Sequence, residues 1–296
     1  MLTASVLIQL TIDGVTRGAM YGLMGAGLAL IFGILGVINM AHGELFMLGA
    51  YAMYFATVML GIPAPIGLLL TAGVMFCVGV TIERGLIAPL RGRLGSRWLV
   101  DGYVLTIGLM VVLQNLALIV FGPREYGVAA YWPGRQEIGD IVVANERLLI
   151  LGGAVATAVA LALFLKKTDT GRAIRATAEH PAAAQVLGID IERIYAITFG
   201  IGAALAGAIG SLLLSTYPAY PTVGGEVLLK AFVVVIIGGL GSVWGAMLAG
   251  PLLGLIEAYA TAFAPGGWQN TITSLLVLAV LVLRPQGLFS TQVTRP

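Results

Sequence analysis

The fold is decided by residues 194–214, which read Ile-Tyr-Ala-Ile-Thr-Phe-Gly-Ile-Gly-Ala-Ala-Leu-Ala-Gly-Ala-Ile-Gly-Ser-Leu-Leu-Leu. No charged side chain occurs in this stretch, although Glu192 and Arg193 directly precede it. A helix needs about 20 residues to cross the roughly 30 Å of hydrocarbon in a bilayer. The stretch is therefore long enough to predict one transmembrane helix.

The composition points to lipid as the main solvent for the whole chain. Of its 296 residues, 59% are hydrophobic and only 10% are charged, whereas about a quarter are charged in soluble domains. A net charge of +2 gives no large basic surface, so nucleic acid is not expected as a partner. Cys77 is the one cysteine, which excludes an internal disulfide. We predict an all-α, polytopic helical bundle that forms a single transmembrane domain over residues 1–296.

Further uncharged runs predict the other spans. Residues 103–121 and 148–165 are single spans, and 45–82 forms two spans interrupted at Gly61–Pro65. Additional apolar segments are 18–43, 271–283, and a run at 230–257 that is broken at Gly238–Ser242. The broken run is either two thin spans or a re-entrant pair of half-helices. The total is eight or nine membrane segments, and the path of residues 1–16 stays open. The start of the chain lacks the basic region of a cleavable secretory signal, so the first span is expected to remain.

The distribution of lysine and arginine predicts the orientation, because cationic loops stay in the cytoplasm. Two connecting loops are rich in these residues and are expected inside, namely about 83–102 (Arg84, Arg91, Arg93, Arg97) and about 166–193 (Lys166, Lys167, Arg172, Arg175, Arg193). The loop at about 122–147 lies one span away from each and carries acidic and aromatic residues. We expect it to face outward, and Glu257 to lie near the outer interface.

Two interruptions of the apolar pattern are candidates for function. Gly238–Gly245 is glycine-rich, and Gly36–Glu44 is where polar side chains cluster between apolar runs. Unwound backbone at membrane depth occurs only inside protein or beside a water-filled cavity. Tight helix packing through small residues is the alternative explanation for the glycines.

Catalytic and nucleotide-binding chemistry is not expected in this chain. The possible soft metal ligands are His42, His180 and Cys77, too few for a zinc site. No Gly-x-x-x-x-Gly-Lys-Ser/Thr loop occurs, so any ATP must be hydrolysed by a partner protein. No catalytic or metal-binding residue is assigned.

The inner loop at 168–190 is helix-prone because it is rich in alanine. Pro181 divides it, since proline suits a first helical turn, and Gly188 suits the end of a helix. We predict two short surface helices, the second running from Pro181 to Leu187.

Within this loop, Ala182–Gly188 resembles the Glu-Ala-Ala-x-x-x-Gly pattern of ABC importer permeases, without the leading glutamate. Four other segments extend the resemblance over nearly the whole chain. They are 36–51, 83–91, 230–242 and 284–289. Together they resemble the branched-chain amino-acid permease family, especially its LivH-like inner-membrane subunit.

The resemblance implies a membrane-spanning importer subunit in the bacterial inner membrane that moves branched-chain or related hydrophobic amino acids. It implies four kinds of partner: a second homologous permease, two cytoplasmic ATPases, a periplasmic or lipid-anchored binding protein, and membrane lipid. ATP and Mg would be bound by the ATPases, and no cofactor by this chain. The residues implied for ATPase coupling are Arg172, Arg175, Glu179, Ala183, Ala184 and Gly188.

A zwitterionic substrate needs polar or backbone partners inside the membrane. The candidates for the translocation path are Asn39, His42, Glu44, Gln114, Asn115, Gly238, Gly239 and Gly241. Hydrogen bonding between helices is the competing role for each polar residue. The alternative functions are a urea or short-amide permease of the same family and an ion-coupled secondary transporter. A membrane enzyme ranks third.

Overall fold

The computed structural model describes residues 4–94, 98–138, 141–263 and 268–289. Its helices are α1 (Ala4–Leu35), α2 (His42–Tyr54), α3 (Ala64–Ile82), α4 (Ala88–Leu94), α5 (Trp98–Phe121), α6 (Asn145–Lys167), α7 (Asp169–Glu179), α8 (Pro181–Val186), α9 (Ile191–Leu213), α10 (Val223–Gly238), α11 (Val243–Phe263) and α12 (Trp268–Leu283). Strands β1 (Arg135–Ile138) and β2 (Ile141–Ala144) pair in antiparallel fashion. The described chain is thus almost entirely helical, as the sequence predicted.

Six of the described helices are long and apolar enough to cross a membrane. They are the helices at 5–35, 64–91, 100–121, 145–167, 191–213 and 243–263, and the apolar helix Thr271–Leu283 is shorter. The single spans predicted at 103–121, 148–165 and 194–214 are confirmed as helices. The chain is therefore a multi-pass membrane protein. The count of eight or nine segments remains a prediction, because it also needs the shorter helices α2, α10 and α12 to cross.

The predicted interruptions lie where helices end. Residues 60–63 separate the π-helical turn Phe55–Met59 from α3, and Gly61 has a φ of 64°. Residues 239–242 separate α10 from α11, with Gly239 and Gly241 at φ values of 104° and 83°. From Ala4 onward, residues 1–16 belong to α1, which continues through them without a break; whether they cross the membrane or lie along its interface stays open.

Helices α1 and α11 pack through glycines along most of their length. A Cβ placed on Gly250 would lie 2.2 Å from the backbone nitrogen of Gly22, and one on Gly254 would lie 2.2 Å from the carbonyl oxygen of Gly14. Only residues without side chains allow two helix backbones to come this close. The glycine spacing seen in the sequence therefore builds this helix pair.

The centre of the bundle is formed by α9 and α1, and the periphery by α5. In the most apolar window of each helix, 83% of α9 is buried within the chain and only 11% of α5. Gly207 of α9 contacts both Gly49 of α2 and Met75 of α3. Helix α9 is thus enclosed by neighbours, whereas α5 presents nearly all of its apolar surface outward.

The loop at 166–193 forms the two short helices predicted for it. Helix α7 begins at the cap residue Thr168, whose Oγ1 accepts a hydrogen bond from the Gly171 nitrogen at 2.9 Å. Pro181 opens α8, and Gly188 follows it with a φ of 85°. A Cβ on Gly171 would lie 2.3 Å from the Phe164 oxygen, so α7 packs closely against the end of α6.

The loop at 122–147 contains the β1–β2 hairpin, which the sequence analysis did not predict. Tyr131 anchors this loop by donating a hydrogen bond to the Ser211 oxygen at 3.0 Å. Burial, and then the nearby Glu146, raise the pKa of the Tyr131 phenol.

Arg97, which contributed to the predicted orientation of the 83–102 loop, lies outside the described residues.

Candidate functional site

Residues 36–41 connect α1 to α2 without helical structure. Gly36 has a φ of 68°, which favours glycine, and the segment ends at the first turn of α2. Asn39 is buried, and its Oδ1 accepts a hydrogen bond from the Ala41 nitrogen at 3.1 Å. The predicted interruption at Gly36–Glu44 is therefore a short unwound segment followed by a helix N-terminus.

His42 begins α2 and packs deep between α1 and α9. Its ring Nε2 lies 3.3 Å from the Met24 oxygen of α1, and the ring is fully buried. A Cβ on Gly27 would lie 3.2 Å from this ring and 3.4 Å from the Gly202 oxygen. The N-terminus of α2 is thus held beside Met24 and Gly27, within the C-terminal half of α1 and short of its end.

Glu44 lies where the N-termini of α2 and α10 meet. Its Oε1 accepts a hydrogen bond from Gln114 Nε2 of α5 at 2.8 Å, and the side chain is fully buried. Backbone atoms of Gly43 lie 2.6 Å from the position of a Cβ on Gly224, the second residue of α10. Helix N-termini carry partial positive charge, which stabilises a carboxylate placed there. Both helix ends therefore direct partial positive charge toward the Glu44 side chain.

Three polar atoms of this cluster have no hydrogen-bond partner among the described residues. They are Nδ2 of Asn39, Nδ1 of His42 and Oε2 of Glu44. Buried polar atoms are nearly always paired, and each exception needs an explanation. Unpaired polar atoms are thus present on three residues around the start of α2.

The structure places four of the predicted path residues around the start of α2 and separates the rest. Asn39 lies in the unwound segment, His42 and Glu44 lie in the first turn of α2, and Gln114 bonds Glu44; these four are called the cluster below. Asn115 is exposed and donates to the Val111 oxygen of its own helix at 2.8 Å. The glycine break at 238–241 is a separate feature. Gly241 lies against Gly33 of α1, about 9 Å along the helix axis from Gly27 beside His42.

The glycine break packs against the segment after α12. A Cβ on Gly238 would lie 2.5 Å from the Gly245 backbone, and one on Gly287 would lie 2.5 Å from Gly239. The Leu288 nitrogen donates to the Ile237 oxygen at 2.7 Å. Gly238, Gly239 and Gly241 thus allow a tight junction between α10, α11 and residues 284–289.

An ion pair between α10 and α11 was missed in the sequence. Lys230 donates to Glu257 Oε1 at 2.6 Å, and Thr273 of α12 donates to the same oxygen at 2.7 Å. Glu257 is fully buried and bonded to two side chains, so the expectation that this acid has no special role is wrong, whereas its place near the outer interface stays a prediction. The sequence contained a signal for this ion pair, because Lys230 and Glu257 stand at the two ends of one uncharged run that folds into the hairpin of α10 and α11.

A second charged cluster lies beside the π-helical turn Glu83–Ile87. Arg91 donates to Glu83 Oε1 at 3.0 Å and also pairs with Glu192. Its guanidinium lies 4.1 Å from the ring centre of Tyr195, which adds a cation–π contact. These contacts join the C-terminal end of α3 to the N-terminal end of α9.

The residues predicted for coupling divide into an anchored and an exposed set. Of the six predicted residues, Ala184 is buried, whereas Arg172, Arg175, Glu179, Ala183 and Gly188 are exposed. Ile174 and Thr177, which were not predicted, anchor the buried face of α7. Arg172 pairs with Asp169 of its own helix. The sequence analysis missed the exposed apolar tip of α8, where Val186 is 88% and Leu187 81% accessible.

Within the described ranges, no three side chains of His, Cys, Asp or Glu come close enough to hold a metal ion. The long apolar helices, the unwound segment ending at a buried helix N-terminus, and the polar cluster beside it define a polytopic membrane protein. Such interrupted helices are typical of membrane transporters.

Comparison with known proteins identifies the particular family. Residues 10–284 match the family described as branched-chain amino acid transport system / permease component, and the chain belongs to it. The permease BraD of Pseudomonas aeruginosa is 33% identical over 95% of both chains. LivH of Escherichia coli K12 is 32% identical over 95% of this chain and 94% of that protein. LivM of the same organism is 26% identical over 97% of this chain and 71% of that protein. No solved structure matches the chain.

Proposed function

We propose that this chain is the membrane-spanning permease subunit of an ATP-binding-cassette importer for branched-chain or related hydrophobic amino acids. The observation that carries this proposal is the family match over residues 10–284. The relatives are named as permeases of high-affinity branched-chain amino acid transport systems. The chain moves the substrate, and separate proteins hydrolyse ATP.

The proposed location of the protein is the bacterial inner membrane, in which residues 1–296 form one transmembrane domain. The loop at 166–193 faces the cytoplasm, and the loop at 122–147 faces outward. Eight or nine segments then enter the membrane, counting α2, α10 and α12 beside the six long helices. The similarity to both LivH and LivM supports a second, homologous permease as partner. Two ATPases, which bind ATP and Mg, and an external amino-acid-binding protein complete the assembly.

The proposed coupling surface is the tip of α8. Val186 and Leu187 are almost fully exposed, and each would gain about 1.5–3 kcal/mol on burial in an apolar groove. Helix α7 is fixed to α6 through Gly171, so a force applied to α8 is passed on to the membrane helices. Arg172, Arg175, Glu179, Ala183, Ala184 and Gly188 belong to this coupling element.

The proposed translocation path includes the cluster of Asn39, His42, Glu44 and Gln114. Its support is the set of buried polar atoms without partners beside the N-terminus of α2. A zwitterion that leaves water requires such groups, because isolated charges are costly in hydrocarbon. Asn115 and the backbone of Gly238, Gly239 and Gly241 are proposed as further parts of the path. Hydrogen bonding between helices remains the competing role for the polar residues.

The experiment is uptake of radiolabelled leucine into liposomes that contain the chain, with and without its permease partner, ATPases and binding protein. We expect uptake with the full set and ATP inside, and none with this chain alone. Leucine uptake by the chain alone under an ion gradient would support a secondary transporter instead. Uptake of urea or acetamide in place of leucine would support the related amide permease.

The coupling surface is tested by Leu187→Asp and Val186→Asp. We expect each to weaken co-purification of the ATPases about tenfold or more, because a charge would replace the buried apolar contact. Ala130→Asp in the 122–147 loop is the control and should bind the ATPases normally. Normal co-purification of both α8 variants would contradict the proposed surface.

A further inference from the structure

A cavity of about 200 Å³ lies between α1, α2, α9 and α10. Its polar lining includes Arg17 of α1 together with Glu226 and Lys230 of α10. Its apolar lining includes Met20, Phe46 and Ile209. Ligand sites typically combine an apolar wall with a few converging polar groups, and this cavity has that composition.

Arg17 supplies a positive charge to this cavity and also acts electrostatically on the neighbouring Tyr21 phenol. No hydrogen bond or ion pair joins its guanidinium to another described residue. Lys230, the other cation of the lining, already pairs with Glu257. An arginine on an apolar membrane helix is costly unless it faces a cavity or a partner, so Arg17 favours an anionic group in the cavity.

Glu226 supplies the opposite charge at the exposed edge of the cavity. It is exposed and accepts a hydrogen bond from the Tyr220 phenol. Burial, and then the nearby Glu226, raise the pKa of Tyr220, so that the phenol stays protonated and can donate its hydrogen bond. The cavity therefore offers one positive and one negative group over an apolar wall.

The volume limits the size of the occupant. A cavity of about 150 Å³ lined by apolar side chains holds one benzene ring. By this measure, the 200 Å³ here hold roughly eight non-hydrogen atoms. That is the size of valine or of a similar single amino acid, and a dipeptide is too large.

The cavity adjoins the unwound segment described above. Val223 lines it, and the next residue, Gly224, contacts the Gly43 backbone at the start of α2. Phe46 lines the cavity from the first turns of α2. A ligand in the cavity is thus one helix turn away from the cluster of Asn39, His42, Glu44 and Gln114.

We infer that this cavity binds a single zwitterionic amino acid with an apolar side chain. Arg17 pairs with its carboxylate and Glu226 with its ammonium group. Met20, Phe46 and Ile209 contact its side chain. The inference rests on the proposed importer function and adds to it a binding site within the permease, ahead of the polar cluster.

The test measures whether an amino acid shields the cavity from a thiol reagent. Cys77→Ser removes the natural cysteine, and Val227→Cys places a thiol in the cavity lining. The assembled complex in proteoliposomes is treated with a membrane-impermeant maleimide, with and without leucine. We expect leucine to slow the labelling of Val227→Cys at least about fivefold and to leave Ala130→Cys unaffected. 4-Methylpentanoate lacks the ammonium group and 3-methylbutylamine lacks the carboxylate, so both should protect less well.

Charge variants in the Val227→Cys background test the two assigned groups. Arg17→Gln should raise the leucine concentration for half-maximal protection at least about tenfold, because a charge-assisted hydrogen bond is lost. Glu226→Gln should have a similar effect, and Arg17→Lys a smaller one. Arg124→Gln on the exposed 122–147 loop is the matched control and should behave as the parent. Normal recovery of the complex shows that each variant folds.

The outcomes separate this inference from the proposed function. If the unmodified complex takes up leucine but leucine does not protect Val227→Cys, the inference fails and the importer function stands. Unchanged protection in both Arg17→Gln and Glu226→Gln would overturn it as well. If the labelling rate of Val227→Cys does not change with leucine but rises when lipid is removed, the cavity holds a lipid, and the inference is overturned as well. If the unmodified complex takes up no leucine, the proposed function itself fails.

Discussion

Replacing Gly250 by alanine should destabilise the protein, although alanine is the better helix former. The added Cβ would lie 2.2 Å, 2.3 Å and 2.4 Å from backbone atoms of Gly22 and Gly18. An ordinary contact begins at 3.4 Å, so α1 must move away from α11 by about 1 Å to relieve the clash. Overpacking of this kind costs about 1–3 kcal/mol. This cost outweighs the stability of up to about 1 kcal/mol that alanine gains over glycine through its higher helix propensity.

Gly152→Ala is the matched control for this prediction. Gly152 also lies within a membrane helix, but a Cβ there meets nothing within 4 Å. Its substitution should be neutral or stabilise by up to about 1 kcal/mol. Thermal unfolding in detergent micelles should therefore place the apparent Tm of Gly250→Ala below that of Gly152→Ala by about 4–8 °C, for a difference of about 2 kcal/mol. Equal Tm values, or a higher one for Gly250→Ala, would refute the close packing of α1 on α11.

Two further substitutions test the buried polar contacts. Lys230→Met leaves Glu257 buried without its cation and should lower the free energy of unfolding by about 3 kcal/mol. Adding Glu257→Gln should restore much of that stability in the same unfolding assay. If the double variant shows no recovery, the ion pair is contradicted. Gln114→Leu removes the donor to Glu44 and should cost about 2 kcal/mol and reduce leucine uptake. Asn115→Leu, whose amide bonds only its own helix, should change stability by less than about 0.5 kcal/mol, and equal losses in the two variants would argue against the Glu44 contact.

The sequence was sufficient to locate the helices and their breaks, because these depend on local chemistry. The cost of placing charge in hydrocarbon marks the ends of a span such as 148–165, and the prolines near Gly61 interrupt the run at 45–82. Pro181 and Gly188 similarly bound α8, since each has a positional preference in helices. Local sequence rules therefore predicted the positions of most of the helices.

The contacts between distant residues could not be predicted in the same way. Gln114 bonds Glu44 across 70 positions of the chain, and which face of α5 meets α2 depends on packing. The same holds for the cavity beside Arg17, which exists only once four helices are assembled. The sequence marked Glu44 as polar within an apolar region, but it did not supply its partner.

The most direct test of the proposed energy coupling is the sidedness of α8. In the Cys77→Ser background, Leu187→Cys should resist an impermeant maleimide added outside intact spheroplasts and should react once the membrane is opened. The proposal that ATPases bind this helix requires that result. Labelling of Leu187→Cys from outside would place α8 beyond the reach of any cytoplasmic ATPase and would contradict it.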